Sequence, residues 1–120
     1  RMGTVDFISQ FNYLKYKTCY HDIELIKLYS QYKFIICFEN SKTLGYITEK
    51  IFNVFLSKSI PIYDGAPDIG SFIQTDSYLT YDDNIIKKIN ILNKNFHAYN
   101  KFVQSNKISN NYKKIDLTII

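Results

Sequence analysis

A glutamate and a lysine stand together where the sequence changes from an apolar run to helical spacing. Glu49 and Lys50 follow Thr48, a residue type that often caps the first turn of a helix. A lysine at that end opposes the helix dipole by roughly 0.3–1 kcal/mol, unless an anion is bound there as well. Helix N-termini bind phosphates, and an ammonium group adds a positive charge to such a site. The pattern therefore indicates either a phosphate site or a solvated lysine on an amphipathic helix, and charge alone leaves both open.

The elements on either side of this pair are predicted from apolar spacing. Phe34–Phe38 is a short apolar run between polar residues, typical of a buried strand in a sheet covered on both faces. A polar loop with Gly45 follows, and a helix is predicted over residues 48–58. Ligands bind at the carboxyl ends of the strands in open α/β sheets. This strand, loop and helix therefore place Glu49 and Lys50 at an edge where ligands bind.

Strands and helices alternate along the rest of the chain. Further helices are predicted near residues 4–15, 22–29, 82–92 and 95–103, and further strands at 16–20, 60–63 and 78–81. This alternation predicts βα units and a parallel sheet with helices on both faces. The expected fold is α/β, a three-layer Rossmann-like domain with a mostly parallel sheet. The predicted buried helix faces are Ile23, Ile26 and Tyr29 after a capping Asp22; Ile85, Ile86, Ile89 and Leu92 after Asp82 or Asp83; and Phe96, Tyr99, Phe102 and Val103 after Asn95.

Length and composition limit the protein to one small domain. The chain has 120 residues and 46% hydrophobic residues, enough for a single core. We place the domain at residues 1–104 and a partly disordered C-terminal tail at 105–120. The longest apolar run is well short of the ~18 residues that a membrane span needs. Arg1 stands where a starting methionine would, so we expect a piece of a longer protein.

The net charge and the cysteines and histidines exclude few functions by themselves. A net charge of +4 suits a phosphorylated ligand or nucleic acid. The lysines are scattered, however, and neither an RRM-type aromatic motif nor a helix-turn-helix pattern is present, so nucleic acid is not favoured. Cys19, Cys37, His21 and His97 do not have metal-binding spacing, and no metal site is predicted. Cys37 fits a small buried apolar residue, and a disulfide with Cys19 stays open.

Four short motifs resemble those of one enzyme family. The sequence FENS is preceded by YKF and followed by GYITEK and then IPIYDGAP. This order and spacing resemble the α-1,3-fucosyltransferase family, which transfers fucose from GDP-fucose to N-acetylglucosamine-containing glycans. A weaker likeness follows at Ser77–Tyr78–Leu79 and Asp82–Asp83, where Tyr78 and Asn84 replace two phenylalanines of the family pattern. The resemblance implies an inverting, two-domain GT-B-type enzyme, with this chain as its C-terminal, donor-binding half.

The resemblance also implies roles for particular residues. In the family the lysine corresponding to Lys50 contacts the GDP phosphates, and the glutamate corresponding to Glu49 contacts the ribose hydroxyls. Asn40 and Tyr46 would line the same donor site; without the resemblance, they fit a turn residue and a core aromatic. The family also uses an upstream arginine on the phosphates. Arg1 is the only arginine of this sequence and therefore the candidate for that role.

Catalysis is expected to need parts that these residues do not provide. The general base and most acceptor contacts of the family lie in an N-terminal domain, so no catalytic residue is assigned here. Glu39 is taken as structural, or as supporting residues that contact the ligand, rather than as a catalytic base. We expect GDP-fucose as donor substrate, no tightly bound cofactor, and donor binding without turnover. Metal dependence is left open. So is the compartment, between the Golgi lumen and a bacterial or viral cytoplasm or membrane surface. The alternatives are a non-catalytic nucleotide-binding or interaction module and a glycosyltransferase that uses another nucleotide sugar.

Overall fold

The structure is a computed structural model and describes residues 23–109. Within that range, three parallel strands form one sheet in the order β1-β2-β3. The strands are β1 (Phe34–Phe38), β2 (Ile60–Asp64) and β3 (Leu79–Thr80). Phe38 at the end of β1 lies opposite Asp64 at the end of β2, so their carboxyl ends are level. The bounds of β1 are those predicted, whereas the elements predicted over residues 4–15 and 16–20 lie outside the described range.

Two of the described helices begin where a side chain accepts a hydrogen bond from a backbone N–H group of the first turn. The described helices are α1 (Ile23–Tyr29), α2 (Glu49–Leu56), α3 (Ile85–Lys94) and α4 (Phe96–Gln104), with a 3-10 turn at Ile69–Ser71. Thr48 caps α2 through its Oγ1 atom, which accepts a hydrogen bond from the Lys50 backbone N–H at 3.4 Å. Asn95 caps α4 by accepting from the Ala98 N–H at 3.0 Å. Both predicted caps are confirmed.

Two hydrophobic cores cover opposite faces of the sheet. Alternate residues of a strand point to opposite faces, so β2 sends Tyr63 to one core and Ile60 and Ile62 to the other. The first core contains residues of α2 and the 3-10 turn, with Tyr29 of α1 packed against it. The second contains residues of α3 and is covered by α4. These are the three layers of the predicted α/β fold, which is confirmed.

The apolar strand β1 is less covered than its sequence predicts. Cys37 is buried as a free thiol, and burial raises its pKa. Ile36 and Phe38 are 53% and 39% exposed, however, so the prediction that both faces are covered is wrong for the described residues. The layer formed by α3 and α4 reaches β1 only near the start of the strand. There the ring centroids of Phe34 and Tyr99 are 5.8 Å apart. The remainder of that face of β1 extends beyond α3 and α4.

The predicted buried faces of three helices are wrong at one position each. Ile23, Ile86 and Phe96 are 66%, 62% and 76% exposed, and Leu25 rather than Ile23 is buried in α1. The three exposed residues stand in the first turns of their helices. Periodicity assigns such residues to the apolar face, but the first turn can extend past the layer that the rest of the helix packs on.

The start of α3 also differs from the prediction. Its N-cap is Asn84 rather than Asp82 or Asp83. Asp82 lies two residues earlier and accepts from the Asn84 N–H at 2.9 Å and from the Lys88 ammonium at 2.6 Å. The Lys88 hydrogen bond holds the pKa of Asp82 below its ordinary value. The carboxylate therefore still supports this helix end, from outside the cap position.

The chain just beyond α4 is joined to the first core. Ile108 pairs with Ile73 in an isolated antiparallel bridge, and the Ser109 N–H donates to the Phe72 carbonyl at 2.9 Å. The Lys107 ammonium donates to the Val103 carbonyl at 2.8 Å, near the end of α4. The boundary proposed after Gln104 stays a prediction, since most of that segment lies outside the described residues. No helix within residues 23–109 has the length and apolarity needed to cross a membrane.

The two sides of α2 predict different costs of truncation. Ile51 is fully buried in the first core, whereas Leu56 of the same helix is 48% exposed. Ile51→Ala is expected to lower the free energy of unfolding by about 2–5 kcal/mol, because it leaves a cavity. Leu56→Ala should lower it by about 0.5 kcal/mol. Urea unfolding followed by circular dichroism measures both. Equal losses would contradict the packing described for α2.

Candidate functional site

A buried carboxylate joins the end of β1 to the start of α2. The side chain of Glu39 has 0% exposure and follows β1 directly. Its Oε2 atom accepts from the Thr48 backbone N–H at 2.9 Å, and its Oε1 atom accepts from Thr48 Oγ1 at 2.7 Å. The Glu39 backbone N–H donates to the Asp64 carbonyl at 2.8 Å, continuing the pairing with β2. One residue thus fixes both ends of the loop between strand and helix.

Residues at the end of β2 and directly after it complete the surroundings of this carboxylate. The Tyr63 hydroxyl lies 3.3 Å from Glu39 Oε2 and accepts from the Ala66 N–H at 3.1 Å. Burial raises the pKa of Tyr63, and the charge of Glu39 raises it further. The phenol therefore keeps its proton and donates a hydrogen bond to the carboxylate. Gly65 leaves the room that this contact needs. A Cβ atom there would lie 2.7 Å from the Tyr63 hydroxyl and 2.8 Å from Glu39 Cβ.

Lys50 lies at the start of α2 with its ammonium near the same carboxylate. Its Nζ atom is 4.0 Å from Glu39 Oε1, and its side chain is 28% exposed. The separation is longer than a hydrogen bond, so the ammonium is attracted to Glu39 without donating to it. Within residues 23–109 it donates no other hydrogen bond, so its N–H groups can bind a second anion. The side chain is neither fully buried nor directed wholly into solvent. Lys50 can therefore bind an anionic group at this edge of the sheet.

The cap changes which atoms of the helix end can bind an anion. The Thr48 N–H donates to Glu39, and the Lys50 N–H donates to Thr48 Oγ1. Two donors that a helix start would offer to a phosphate are therefore already used. Glu39 also brings a negative charge of its own to that end of the helix. Anion binding here depends on the Lys50 ammonium more than on the backbone N–H groups.

The other predicted site residues lie on the same loop and helix start. Asn40 is exposed directly after Glu39, and Glu49 is half-buried in the first turn of α2. Tyr46 is 39% exposed, which does not fit the alternative that it is a core aromatic. The order of strand, loop and helix brings Asn40, Tyr46, Glu49 and Lys50 to one edge. Arg1 lies outside the described residues, so its role stays a prediction.

Two aspartates that the sequence analysis did not assign hold the loop in place. Asp68 Oδ1 accepts from the Gly45 N–H at 2.8 Å, and Gly45 has a φ of 71°, which favours glycine. Asp64 Oδ2 forms an ion pair with Lys42 Nζ at 3.2 Å. Asp64 is the last residue of β2, and Asp68 follows shortly after it. The loop that carries Tyr46 is therefore attached to the neighbouring strand end at two points.

The residues at this edge do not form a metal centre. Within residues 23–109, no group of three or more His, Cys, Asp and Glu side chains is placed to hold a metal ion. The predicted site residues Lys50, Glu49, Asn40 and Tyr46 provide instead an ammonium, a half-buried carboxylate, an amide and a phenol. Such a set matches a polar anion with hydroxyl groups attached.

Fold and site together define the class of this protein. It is a parallel α/β domain of the Rossmann type with a polar site that contains a lysine ammonium at the carboxyl ends of its strands, where such domains bind ligands. Within that class, the chain belongs to glycosyltransferase family 10 (fucosyltransferase), C-terminal part. The sequence profile of that family matches residues 4–116.

Individual relatives support this membership. The chain is 36% identical over 86 residues to the alpha-(1,3)-fucosyltransferase FucT of Helicobacter pylori, covering 67% of this chain and 18% of that protein. It is 40% identical over 57 residues to GDP-fucose protein O-fucosyltransferase 3 of Danio rerio, covering 48% of this chain and 12% of that protein. A crystal structure of an alpha1,3-fucosyltransferase with GDP-fucose superposes with a TM-score of 0.64 at 34% identity, covering 68% of this chain and 26% of that one. The chain thus spans a small part of the length of these relatives.

The close approach at Gly65 predicts a selective effect of an added methyl group. Gly65→Ala is expected to lower the free energy of unfolding by about 1–3 kcal/mol, because the methyl group displaces Glu39 or Tyr63. Gly70→Ala is the matched control. Its Cβ would lie 3.3 Å from Thr75 Cγ2, a single side-chain atom of an exposed residue. Thermal unfolding of both variants checks this. A larger loss for Gly70→Ala would show that Glu39 does not pack as described.

Proposed function

We propose that this chain is the donor-binding part of an inverting fucosyltransferase that transfers fucose from GDP-fucose to an N-acetylglucosamine-containing glycan. The observation that carries the proposal is the partly exposed Lys50 ammonium, 4.0 Å from Glu39 at the carboxyl edge of the sheet. An ammonium placed there can neutralise a phosphate oxygen of the departing GDP. The family membership supplies the reason to expect that ligand.

Inverting glycosyl transfer has three requirements. A base removes the proton of the acceptor hydroxyl, the sugar is held for in-line attack, and positive charge stabilises the leaving diphosphate. Lys50 serves the third requirement. Glu49, beside it, accepts hydrogen bonds from the ribose hydroxyls, and Asn40 and Tyr46 line the donor from the loop. The base and the acceptor contacts belong to a separate N-terminal domain, so this chain binds donor without turnover.

The relatives support a donor role more than any particular acceptor. One solved alpha1,3-fucosyltransferase holds GDP-fucose, and the Danio rerio relative is named a GDP-fucose protein O-fucosyltransferase. These names share the donor but differ in what receives the fucose. A domain similar to both fits the binding of the shared component. We therefore place GDP-fucose as the partner of this chain and the glycan acceptor with the rest of the enzyme.

Nucleotide titration tests this function. The chain is expected to bind GDP and GDP-fucose more tightly than UDP in isothermal titration calorimetry. Lys50→Ala should weaken GDP binding about tenfold or more, since a hydrogen bond to a charged group contributes about 1.5–3 kcal/mol. Lys87→Ala is the control, because Lys87 is an exposed lysine of α3, outside the proposed site.

Three results would contradict the proposal in different ways. Absence of nucleotide binding would favour a non-catalytic module. Tighter binding of UDP would favour another nucleotide sugar. Equal weakening of GDP binding in Lys50→Ala and Lys87→Ala would mean that general positive charge, rather than this edge of the sheet, attracts the nucleotide.

A further inference from the structure

We infer that Glu39 is a positioning residue for the diphosphate: its buried carboxylate holds the Lys50 ammonium and the start of α2 in the arrangement that binds phosphate. The inference rests on the proposed function of Lys50. With 0% side-chain exposure, Glu39 has no surface with which to touch a nucleotide. Any effect it has on binding comes either through the residues that it contacts or through the field of its charge.

The partners of Glu39 show that the site is organised around its charge. A carboxylate that is buried away from water requires hydrogen-bond donors for both of its oxygens. The structure provides the Thr48 N–H at 2.9 Å, the Thr48 hydroxyl at 2.7 Å and the Tyr63 hydroxyl at 3.3 Å. The Lys50 ammonium at 4.0 Å adds the compensating charge. These groups come from the helix start and from the end of the neighbouring strand.

Capping alone does not require a carboxylate at this position. Thr48 already caps α2 through its own hydroxyl, and a neutral amide could accept from its backbone N–H. Attracting the ammonium is the task that needs the negative charge, and this attraction is stronger in a poorly solvated site. Lysine has a long flexible stem, and fixing its end before the ligand arrives reduces the entropy lost on binding.

The same charge also repels an incoming phosphate, so the two effects oppose each other. Glu39 is buried behind the ammonium, and a phosphate approaching from solvent meets Lys50 first. The carboxylate is also hydrogen-bonded to Thr48 and Tyr63, which offsets part of its field. Positioning therefore outweighs repulsion, and loss of the charge should weaken phosphate binding.

The test compares GDP with guanosine, which has the same base and sugar but lacks phosphates. Glu39→Gln keeps the size of the side chain and removes its charge. NMR titration is expected to show GDP affinity about five- to tenfold lower, with guanosine affinity changed less than about twofold. Glu24→Gln is the matched control, because Glu24 is an exposed glutamate of α1, and it should change neither affinity.

A double-mutant cycle separates positioning from a general structural role. In a Lys50→Ala background, Glu39→Gln should change GDP affinity by less than about twofold, because the group that it positions is gone. A purely structural role would weaken GDP and guanosine alike, with or without Lys50, and would overturn the inference. If Glu39→Gln does not fold, Glu39→Asp replaces it. That shorter carboxylate keeps the charge but recedes from Lys50, and the same phosphate-selective loss is expected.

The outcomes distinguish the inference from the function on which it rests. If the unaltered chain does not bind GDP, the proposed function fails and the inference fails with it. If the unaltered chain binds GDP and Glu39→Gln binds it equally well or more tightly, only the inference is overturned.

Discussion

The fold of this domain depends at its functional edge on one buried negative charge. Glu39 has no exposed side-chain surface, and its carboxylate is stable there only because Thr48, Tyr63 and Lys50 surround it. These partners belong to two separate parts of the chain: the start of α2, which includes its cap, and the strand β2. The requirement to satisfy one carboxylate thus holds a strand end, a helix start and a neighbouring strand in a fixed relation. The loop between β1 and α2 is attached to that arrangement at both of its ends.

The same arrangement explains how a helix start with its own internal anion can still serve a phosphate. Glu39 and Thr48 use two of the donors that a helix N-terminus offers. The positive charge at this helix end is the Lys50 ammonium, which is partly exposed and close enough to Glu39 to be attracted without a direct hydrogen bond. The site is therefore better described as a preorganised ammonium than as a bare helix dipole. In the proposed enzyme, that ammonium stabilises the leaving diphosphate, while the acceptor chemistry is left to the other domain.

The sequence predicts the features that depend on local pattern. The bounds of β1, the parallel α/β arrangement and the caps Thr48 and Asn95 follow from apolar runs and residue types within a few positions. The motifs between Tyr32 and Pro67 indicate the family, which the sequence profile confirms, whereas the donor-site roles taken from that resemblance stay predictions. The contacts of Glu39 are different in kind. Tyr63 and Gly65 stand more than twenty positions later, and no local pattern relates them to Glu39.

The predicted burial of both faces of β1 is wrong for a related reason. Ile36 and Phe38 belong to an apolar run that is typical of a strand covered on both faces. The layer of α3 and α4, however, does not extend over them. How far one layer extends over another is set by tertiary packing and not by the spacing of apolar residues in either. Glu39 itself ends the apolar run of β1, and in the sequence it marks only a strand end. Its burial and its contacts with Thr48, Tyr63 and Lys50 are visible only in the structure.

The most direct measurement is the distance from Lys50 Nζ to the nearest phosphate oxygen in a crystal structure of the chain with GDP. The account predicts a separation of about 3 Å, the reach of a charge-assisted hydrogen bond. It also predicts that Glu39 stays buried on the far side of the ammonium without touching the nucleotide. A diphosphate bound away from the carboxyl ends of β1 and β2, with Lys50 directed into solvent, would contradict it.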